Sequence, residues 1–373
     1  MRYILSGGGT GGHIYPALAI GEEIKKQDEE AEILYVGKKD SLEEELAKKY
    51  NFDFEGIDIS GLPRKKLNKD TVITFFNLMK GLRECNKIID DFKPDIVIGT
   101  GGYVCAPIVF KAQQKKIKTV VQEQNAYPGK TNKILAKKAD YVFINFMEAK
   151  KYLDNDNIIF TGNPIRDVFS HLDRKESRKK LNLSDDEKFV FSFGGSGGQE
   201  STNDAILEII NKKEKLPFKL THVTGRDHYD YFMEKAKDLP ENVEILDYTH
   251  KVYDYLSSAD LVIASSSAMT LAEISALGIA SILIPKAYTA GNHQYYNAMS
   301  YSNMGASSVI EEKDLNGESL LKEIKEILED EDKRSEMADN SKKLASPDAV
   351  SKIVDIILKW FYEKVGKEKK KTE

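Results

Sequence analysis

The sequence predicts an α/β protein of two domains, each built on a parallel sheet. Three observations predict it. The chain of 373 residues exceeds the roughly 100–200 residues of one ordinary domain. Short β-branched apolar runs alternate with amphipathic helical stretches, the pattern of βαβ units. The alternation loosens near residue 163 and then starts afresh.

In the first half the strand runs are YILS from Tyr3, ILYVG from Ile33, DIVIG from Asp95, TVVQ from Thr119 and YVFIN from Tyr141. They are apolar on both faces because helices cover both sides of a parallel sheet. Between them, SLEEELAKKY at Ser41 and KTNKILAKKA at Lys130 read as helices. A charged helix-and-turn segment follows GNPIRDVF. The second series then runs KFVFSFGG (Lys188), FKLTHVTG (Phe218), VEILDY (Val243), DLVIASSS (Asp260), ASILIP (Ala280) and ASSVIEE (Ala306). A hinge near 163–167 divides the chain into domains 1–163 and 164–344. Residues 345–373 carry Val350, Ile353, Ile356, Ile357, Trp360 and Phe361 at helical spacing, so this helix is expected to pack back on the N-terminal domain. The Lys-rich end KEKKKTE is expected to be a disordered tail.

Composition narrows the function classes. A net charge of −5, from 55 basic and 60 acidic residues, gives no overall basic footprint for nucleic acid. Two cysteines, Cys85 and Cys105, fit a reducing compartment rather than a disulfide framework. The opening MRYILSGGG does not read as a signal peptide, and no apolar run reaches the roughly 18–20 residues of a membrane span.

Three glycine turns stand where a strand passes into a helix: SGGGTGGH at 6–13, GTGGYV at 99–104 and GGSGGQES at 194–201. Glycine lets the backbone approach a ligand closely, and the N–H groups of a following helix favour an anion. Three such turns at the carboxyl ends of parallel strands point to phosphate or carbohydrate. The first contains G-x-G-x-x-G, which opens a dinucleotide-dehydrogenase alternative, but its second strand ends ILYVGKKD without the required acid in place. A P-loop is absent, because no glycine run precedes Lys-Ser or Lys-Thr. Nor does any HExxH, paired-Cys or Asp-x-Asp spacing predict a metal, so the expected chemistry needs neither metal nor cofactor.

GGGTGGHIYPALAI, GTGGYV, EQNAYPGKTNKILAK, TGNPIR, FGGSGG, SSAMTLAEISALGIASILIP and HQYYNAMSY together resemble the MurG family, nearly end to end and in order. The resemblance implies a GT-B architecture, two Rossmann-like domains with parallel sheets facing across a deep cleft. It implies an inverting transfer of GlcNAc from UDP-GlcNAc to the 4-hydroxyl of muramic acid in lipid I, forming lipid II at the cytoplasmic face of the cell membrane.

Roles follow for particular residues. Thr10, Gly11 and Gly12 in the first turn are expected to contact UDP-GlcNAc, and Gly101, Gly102 and Tyr103 in the second the acceptor's diphosphate. Ser196, in GGSGG, can offer its hydroxyl and neighbouring N–H groups to the donor phosphates. Ser267 is a plausible N-cap, with Ala268, Met269 and Thr270 in the first helical turn and Leu271 and Ala272 behind them, all five expected to contact UDP-GlcNAc. Glu273 is expected to accept the ribose hydroxyls by resemblance. Arg166, at the hinge, is placed to reach the diphosphate from the other domain, where its fork suits phosphate. Gln294 and Asn297 share one helical face and are implied contacts of the sugar, as is Asn125. Thr249 is the implied backbone reader of the uracil. His13 is the favoured general base, since histidine's pKa suits proton removal near neutrality; Glu123 is its competitor. Many relatives carry His where Gln122 stands here, which raises reliance on His13.

Residues 61–82 join Arg64, Lys65, Lys66 and Lys69 to Val72, Ile73, Phe75, Phe76, Leu78 and Met79. Cations followed by apolar side chains suit peripheral contact with an anionic membrane. Three other functions share parts of the pattern: a UDP-GlcNAc 2-epimerase or other GT-B nucleotide-sugar enzyme, the nicotinamide dehydrogenase, and a non-catalytic UDP-GlcNAc sensor.

Overall fold

The computed structural model describes the backbone of residues 1–61, 69–195 and 197–372, without the side chains of 69–76, 170 and 363–372. The chain forms two compact units, residues 1–165 with 347–373, and residues 166–346.

In unit 1 the strands are β1 (Arg2–Gly7), β2 (Glu32–Lys38), β3 (Asp53–Ile57), β4 (Ile96–Gly101), β5 (Lys118–Glu123), β6 (Tyr141–Ile144) and β7 (Ile158–Phe160). The helices between them are α1 (Gly11–Gln27), α2 (Leu42–Lys49), α3 (Lys69–Phe92), α4 (Cys105–Gln114) and α5 (Lys130–Ala136). All neighbours pair in parallel, in the order β3-β2-β1-β4-β5-β6-β7. Side chains alternate along β1. Tyr3 and Leu5 join Ile14, Leu18 and Ile24 of α1 on one face, while Ile4 joins Ile89 of α3 and Ile108 and Val109 of α4 on the other. Every one of these side chains is buried, which is why the strand reads as a continuous apolar run.

Unit 2 repeats the plan. Its elements are α6 (Arg174–Lys180), β8 (Phe189–Phe193), α7 (Glu200–Asn211), β9 (Lys219–Val223), α8 (Arg226–Lys235), β10 (Val243–Leu246), α9 (Val252–Ser258), β11 (Leu261–Ala264), α10 (Ala268–Leu277), β12 (Ser281–Leu283), α11 (His293–Asn303), β13 (Ser307–Val309), α12 (Gly317–Glu329) and α13 (Glu331–Lys343). The sheet order is β10-β9-β8-β11-β12-β13, again all parallel. In both sheets the order reverses beside the first strand. Between β1 and β4, and between β8 and β11, connecting helices leave to opposite faces and the strand ends lie open to a ligand.

The last helix, α14 (Ala349–Thr372), belongs to unit 1. Ile353, Val354 and Ile357 are fully buried beside α1, and Trp360 meets the Tyr141 ring edge-on at 5.1 Å. The helix continues through the segment expected to be a disordered tail, whose Lys and Glu are good helix formers.

β3 and β7 have no counterpart among the expected strands. Both are edges: β3, Asp53–Ile57, is interrupted by exposed Asp53 and Glu55, and β7, Ile158–Phe160, is apolar but only three residues long.

Candidate active site

The first two glycine turns leave adjacent strands of unit 1, β1 and β4, at the point where the sheet order reverses. The pairing of these strands shifts register between Ser6 and Gly7, so the first turn lifts away from the sheet as it begins. His13, third residue of α1, lies against the second turn. A Cβ on Gly101 would stand 2.7 Å from His13 Cδ2, and one on Gly102 would stand 3.3 Å from Nδ1 and 2.0 Å from the Gly8 carbonyl. Gly101 and Gly102 have φ of +109° and +78°, so glycine serves both the backbone conformation and the close approach of the imidazole.

Nδ1 of His13 is 3.2 Å from the Gly8 carbonyl and 3.2 Å from Thr10 Oγ1. A proton on Nδ1 satisfies the carbonyl and places the basic lone pair on Nε2, on the Gly101 side of the ring. The helix start is fixed too, since Thr100 Oγ1 donates to the His13 carbonyl at 2.6 Å. Glu43, buried in the first turn of α2, accepts from the Gly9 N–H at 2.8 Å. One amide of the first turn is therefore committed to a carboxylate of the chain itself. Nothing in the sequence marks this, because Glu43 is one of three successive acids, Glu43, Glu44 and Glu45, in the first turn of α2.

Glu123, the competing base, ends β5 and is 1% exposed. Its Oε1 accepts from the N–H and Nδ2 of Asn125 at 2.9 and 3.0 Å. Its Oε2 accepts from the Gly129 N–H at 3.0 Å and from Asn132 Nδ2 at 2.9 Å. Burial raises its pKa and the four donors oppose that rise. The geometry is that of a loop anchor, holding residues 125–132 on the end of the strand. Gln122 is wholly buried, donates to Asn163 Oδ1 at 3.0 Å and accepts from Gln124, so it too serves the packing of strand ends.

In unit 2 the third turn leaves β8 and the segment containing Ser265, Ser266 and Ser267 leaves β11, again at the reversal. Ser267 caps α10, its Oγ accepting from the Thr270 N–H at 3.3 Å. The first-turn amides of Ala268 and Met269 stand at the dipole's positive end. Leu271 is buried in the same helix and Ala272 is half-buried beside Glu273. Arg166 is the first residue of unit 2. It donates from Nη2 to Glu273 Oε1 at 3.0 Å, bringing together a residue expected at the diphosphate and one expected at the ribose. Burial raises the Glu273 pKa, with Arg166 opposing.

Gln294 and Asn297 lie on one face of α11, against the loop after β11. Ser266 Oγ donates to the Gln294 carbonyl at 2.8 Å, and Asn297 Nδ2 donates to the Ser266 carbonyl at 3.1 Å. Asn297 is fully buried, so it fastens α11 to that loop; Gln294, 6% exposed, stands nearer the surface. Thr249 follows β10 and accepts from the Lys251 N–H at 3.1 Å. Ser196 lies outside the described residues. Asn125 and Tyr103 belong to unit 1, where Tyr103 packs against the α3 and α4 core. Among the described residues no group of three or more His, Cys, Asp and Glu could hold a metal ion.

Models of the glycosyltransferase family 28 N-terminal and C-terminal domains match residues 3–144 and 189–353. The chain is 45% identical over 359 residues to a protein of Finegoldia magna named UDP-N-acetylglucosamine–N-acetylmuramyl-(pentapeptide) pyrophosphoryl-undecaprenol N-acetylglucosamine transferase, covering 95% of this chain and 97% of the relative. A protein of the same name from Clostridioides difficile is 41% identical over 377 residues, 100% of this chain and 92% of the relative. Among solved structures, Acinetobacter baumannii MurG superposes with a TM-score of 0.75 at 25% identity, covering 96% and 99% of the two chains. A UDP-GlcNAc 2-epimerase from Neisseria meningitidis, at TM-score 0.68 and 13% identity over 96% and 100%, shares the fold alone.

Proposed function

The chain belongs to the MurG family within glycosyltransferase family 28, and from that membership we propose how its residues carry out GlcNAc transfer. The enzyme moves N-acetylglucosamine from UDP-N-acetylglucosamine to the muramyl-pentapeptide pyrophosphoryl-undecaprenol acceptor, making lipid II. Transfer needs three things from the protein: a hold on the nucleotide, stabilisation of the departing diphosphate, and a base for the acceptor hydroxyl.

Unit 2 supplies the first two. Glu273 accepts the ribose hydroxyls, the capped start of α10 faces the diphosphate, and Ser196 adds a hydroxyl. Arg166, already beside Glu273, turns its second nitrogen face to the phosphates. Gln294 reads the sugar, with Asn297 holding its helix in place. Thr249 and Asn125 remain assigned to uracil and sugar.

Unit 1 supplies the base. The carrying observation is the seat of His13 between the Gly8 carbonyl and the Gly101–Gly102 backbone, which fixes the tautomer and directs Nε2. Nε2 takes the proton of the muramic 4-hydroxyl as that oxygen attacks the anomeric carbon. The C–O bond to UDP breaks, the diphosphate leaves with the electron pair, and the anomeric centre inverts. Tyr103 and the glycine turns beside it receive the acceptor's diphosphate. Glu123 keeps the 125–132 loop in position and takes no proton.

The acceptor's lipid implies peripheral contact with the cytoplasmic membrane face. Arg64, Lys65 and Lys66 lie outside the described residues, as do the side chains of Lys69, Val72, Ile73, Phe75 and Phe76. No described helix is long and apolar enough to cross a membrane. Purified protein given UDP-GlcNAc and a lipid I analogue should yield the disaccharide lipid and UDP. Formation of UDP-ManNAc without any acceptor would instead select the epimerase chemistry.

A further inference from the structure

One carboxylate ties together segments of unit 2 that are far apart in sequence. Glu312 follows β13, and its Oε1 accepts from Gln199 Nε2 at 2.9 Å and from Ser201 Oγ at 2.6 Å. These two residues sit where the third glycine turn enters α7. Its Oε2 accepts from the Ala287 N–H at 2.8 Å, on the segment that leads from β12 into α11. The neighbouring Lys286 completes the bridge in the reverse sense. Its ammonium donates to the Gly198 carbonyl at 2.6 Å, and its N–H donates to Gln294 Oε1 at 3.0 Å.

Both ends of the bridge are stiff. Gly198 has φ of +72°, and a Cβ there would stand 1.9 Å from the Thr224 carbonyl, so the turn cannot slide toward β9. Gln199 is 1% exposed and donates also to the Ile284 carbonyl at 3.3 Å. Gln294 passes the restraint onward, since its own carbonyl is held by Ser266 in front of α10. Burial draws the Lys286 ammonium below its ordinary pKa, with Glu312 opposing. Burial raises the Glu312 pKa, and the bonds from Ser201, Ala287 and Gln199 outweigh it.

We propose that Glu312 and Lys286 are positioning residues that set the spacing between the glycine turn and Gln294, and so let the site distinguish a nucleotide sugar from the bare nucleotide. The inference rests on the assignment of the turn to the diphosphate and of Gln294 to the sugar. Neither residue needs to touch the ligand. A loosened Gln294 loses its contribution to the sugar, whereas the ribose contact at α10 and the uracil contact at Thr249 stay in place.

The test measures dissociation constants of UDP and of UDP-GlcNAc by calorimetry, for the full-length wild type, Glu312→Ala and Lys286→Met. The variants should lower the preference for UDP-GlcNAc over UDP, relative to wild type, by about tenfold, inside the range usual for coupling between two sites. Glu312→Gln keeps the side chain's volume and one acceptor oxygen, and it carries the same measurement should Glu312→Ala fail to fold. Equal weakening of both ligands, or an unchanged preference in variants of a wild type that binds both, overturns the clamp and leaves the functional reading standing. A wild type that binds neither ligand overturns that reading, and the clamp with it.

Discussion

The ion pair of Arg166 with Glu273 predicts an asymmetry that calorimetry can measure. The two groups meet at 3.0 Å, with Glu273 13% exposed and Arg166 30% exposed. Unit charges about 4 Å apart attract by about 4 kcal/mol at an effective dielectric of 20, and desolvation takes back the larger part. What matters is therefore which charge is left behind. Arg166→Met strands a nearly buried carboxylate and should cost about 2–3 kcal/mol. Glu273→Gln leaves a guanidinium that water reaches, and should cost about 0.5–1 kcal/mol. For a unit of this size, about 2–4 °C per kcal/mol gives midpoint losses of about 4–12 °C and about 1–4 °C. The double variant should lie near Glu273→Gln, well short of the sum of the two.

The pH dependence has a definite sign. Burial raises the Glu273 pKa and Arg166 opposes that rise, so losing Arg166 raises it further. Folding then favours the protonated carboxyl. The Arg166→Met deficit is full at neutral pH and shrinks as pH falls through the raised folded value, where the stranded charge is neutralised. Scanning calorimetry without nucleotide, at several pH values, measures both effects. Equal losses in the two single variants, or an Arg166→Met loss that ignores pH, would refute the reasoning. In turnover assays both variants should raise KM for UDP-GlcNAc more than they alter acceptor saturation.

Three further outcomes follow from the unit 1 geometry. His13→Ala should lower kcat by about 10²–10⁴-fold with little change in KM for UDP-GlcNAc, and a mainly KM effect would count against a base. Glu123→Gln turns an amide group toward N–H donors and should destabilise by about 1–3 kcal/mol, read as a lower Tm; a large kcat loss at unchanged Tm would restore Glu123 as the base. Gly102→Ala should cost more than about 2 kcal/mol, through its left-handed φ and the 2.0 Å approach to the Gly8 carbonyl. Gly129→Ala, where nothing lies within 4 Å of the new Cβ, is the control and should fold and turn over normally.

Most of the fold was legible because its central strands are buried on both faces and therefore read as unbroken apolar runs. β8, β11 and β12 in unit 2 and β1, β2, β4, β5 and β6 in unit 1 follow this pattern most closely, and the edge strands β10 and β13 were still readable from their place in the strand–helix alternation. β3 was not legible because an edge strand exposed on one side carries residues such as Asp53 and Glu55, and β7 because three residues are too short a run to stand out. The cap of α10 was readable for a different reason. Ser267 acts on an amide three residues away, and that distance is written directly in the sequence.

The parts of the site that were not legible share one property: their partners are long-range and buried. Glu43 reaches across 34 positions to Gly9, and Glu312 reaches back 113 to Gln199. Each looks in sequence like any surface acid on or near a helix. Burial changes the meaning of such a residue. A carboxylate removed from water must find donors, and the donors available at strand ends are the loop amides and side chains that shape a ligand site. The same requirement explains Glu123. Placed at the end of a buried strand, it resembled a base by its neighbours in sequence, yet four donors already surround it. His13 is held differently, by its Nδ1 edge, which lies within hydrogen-bond reach of the Gly8 carbonyl and of Thr10 Oγ1. Within unit 1, then, the four donors on Glu123 mark it as the acid that holds the scaffold, and the proposed mechanism leaves proton transfer to the His13 imidazole.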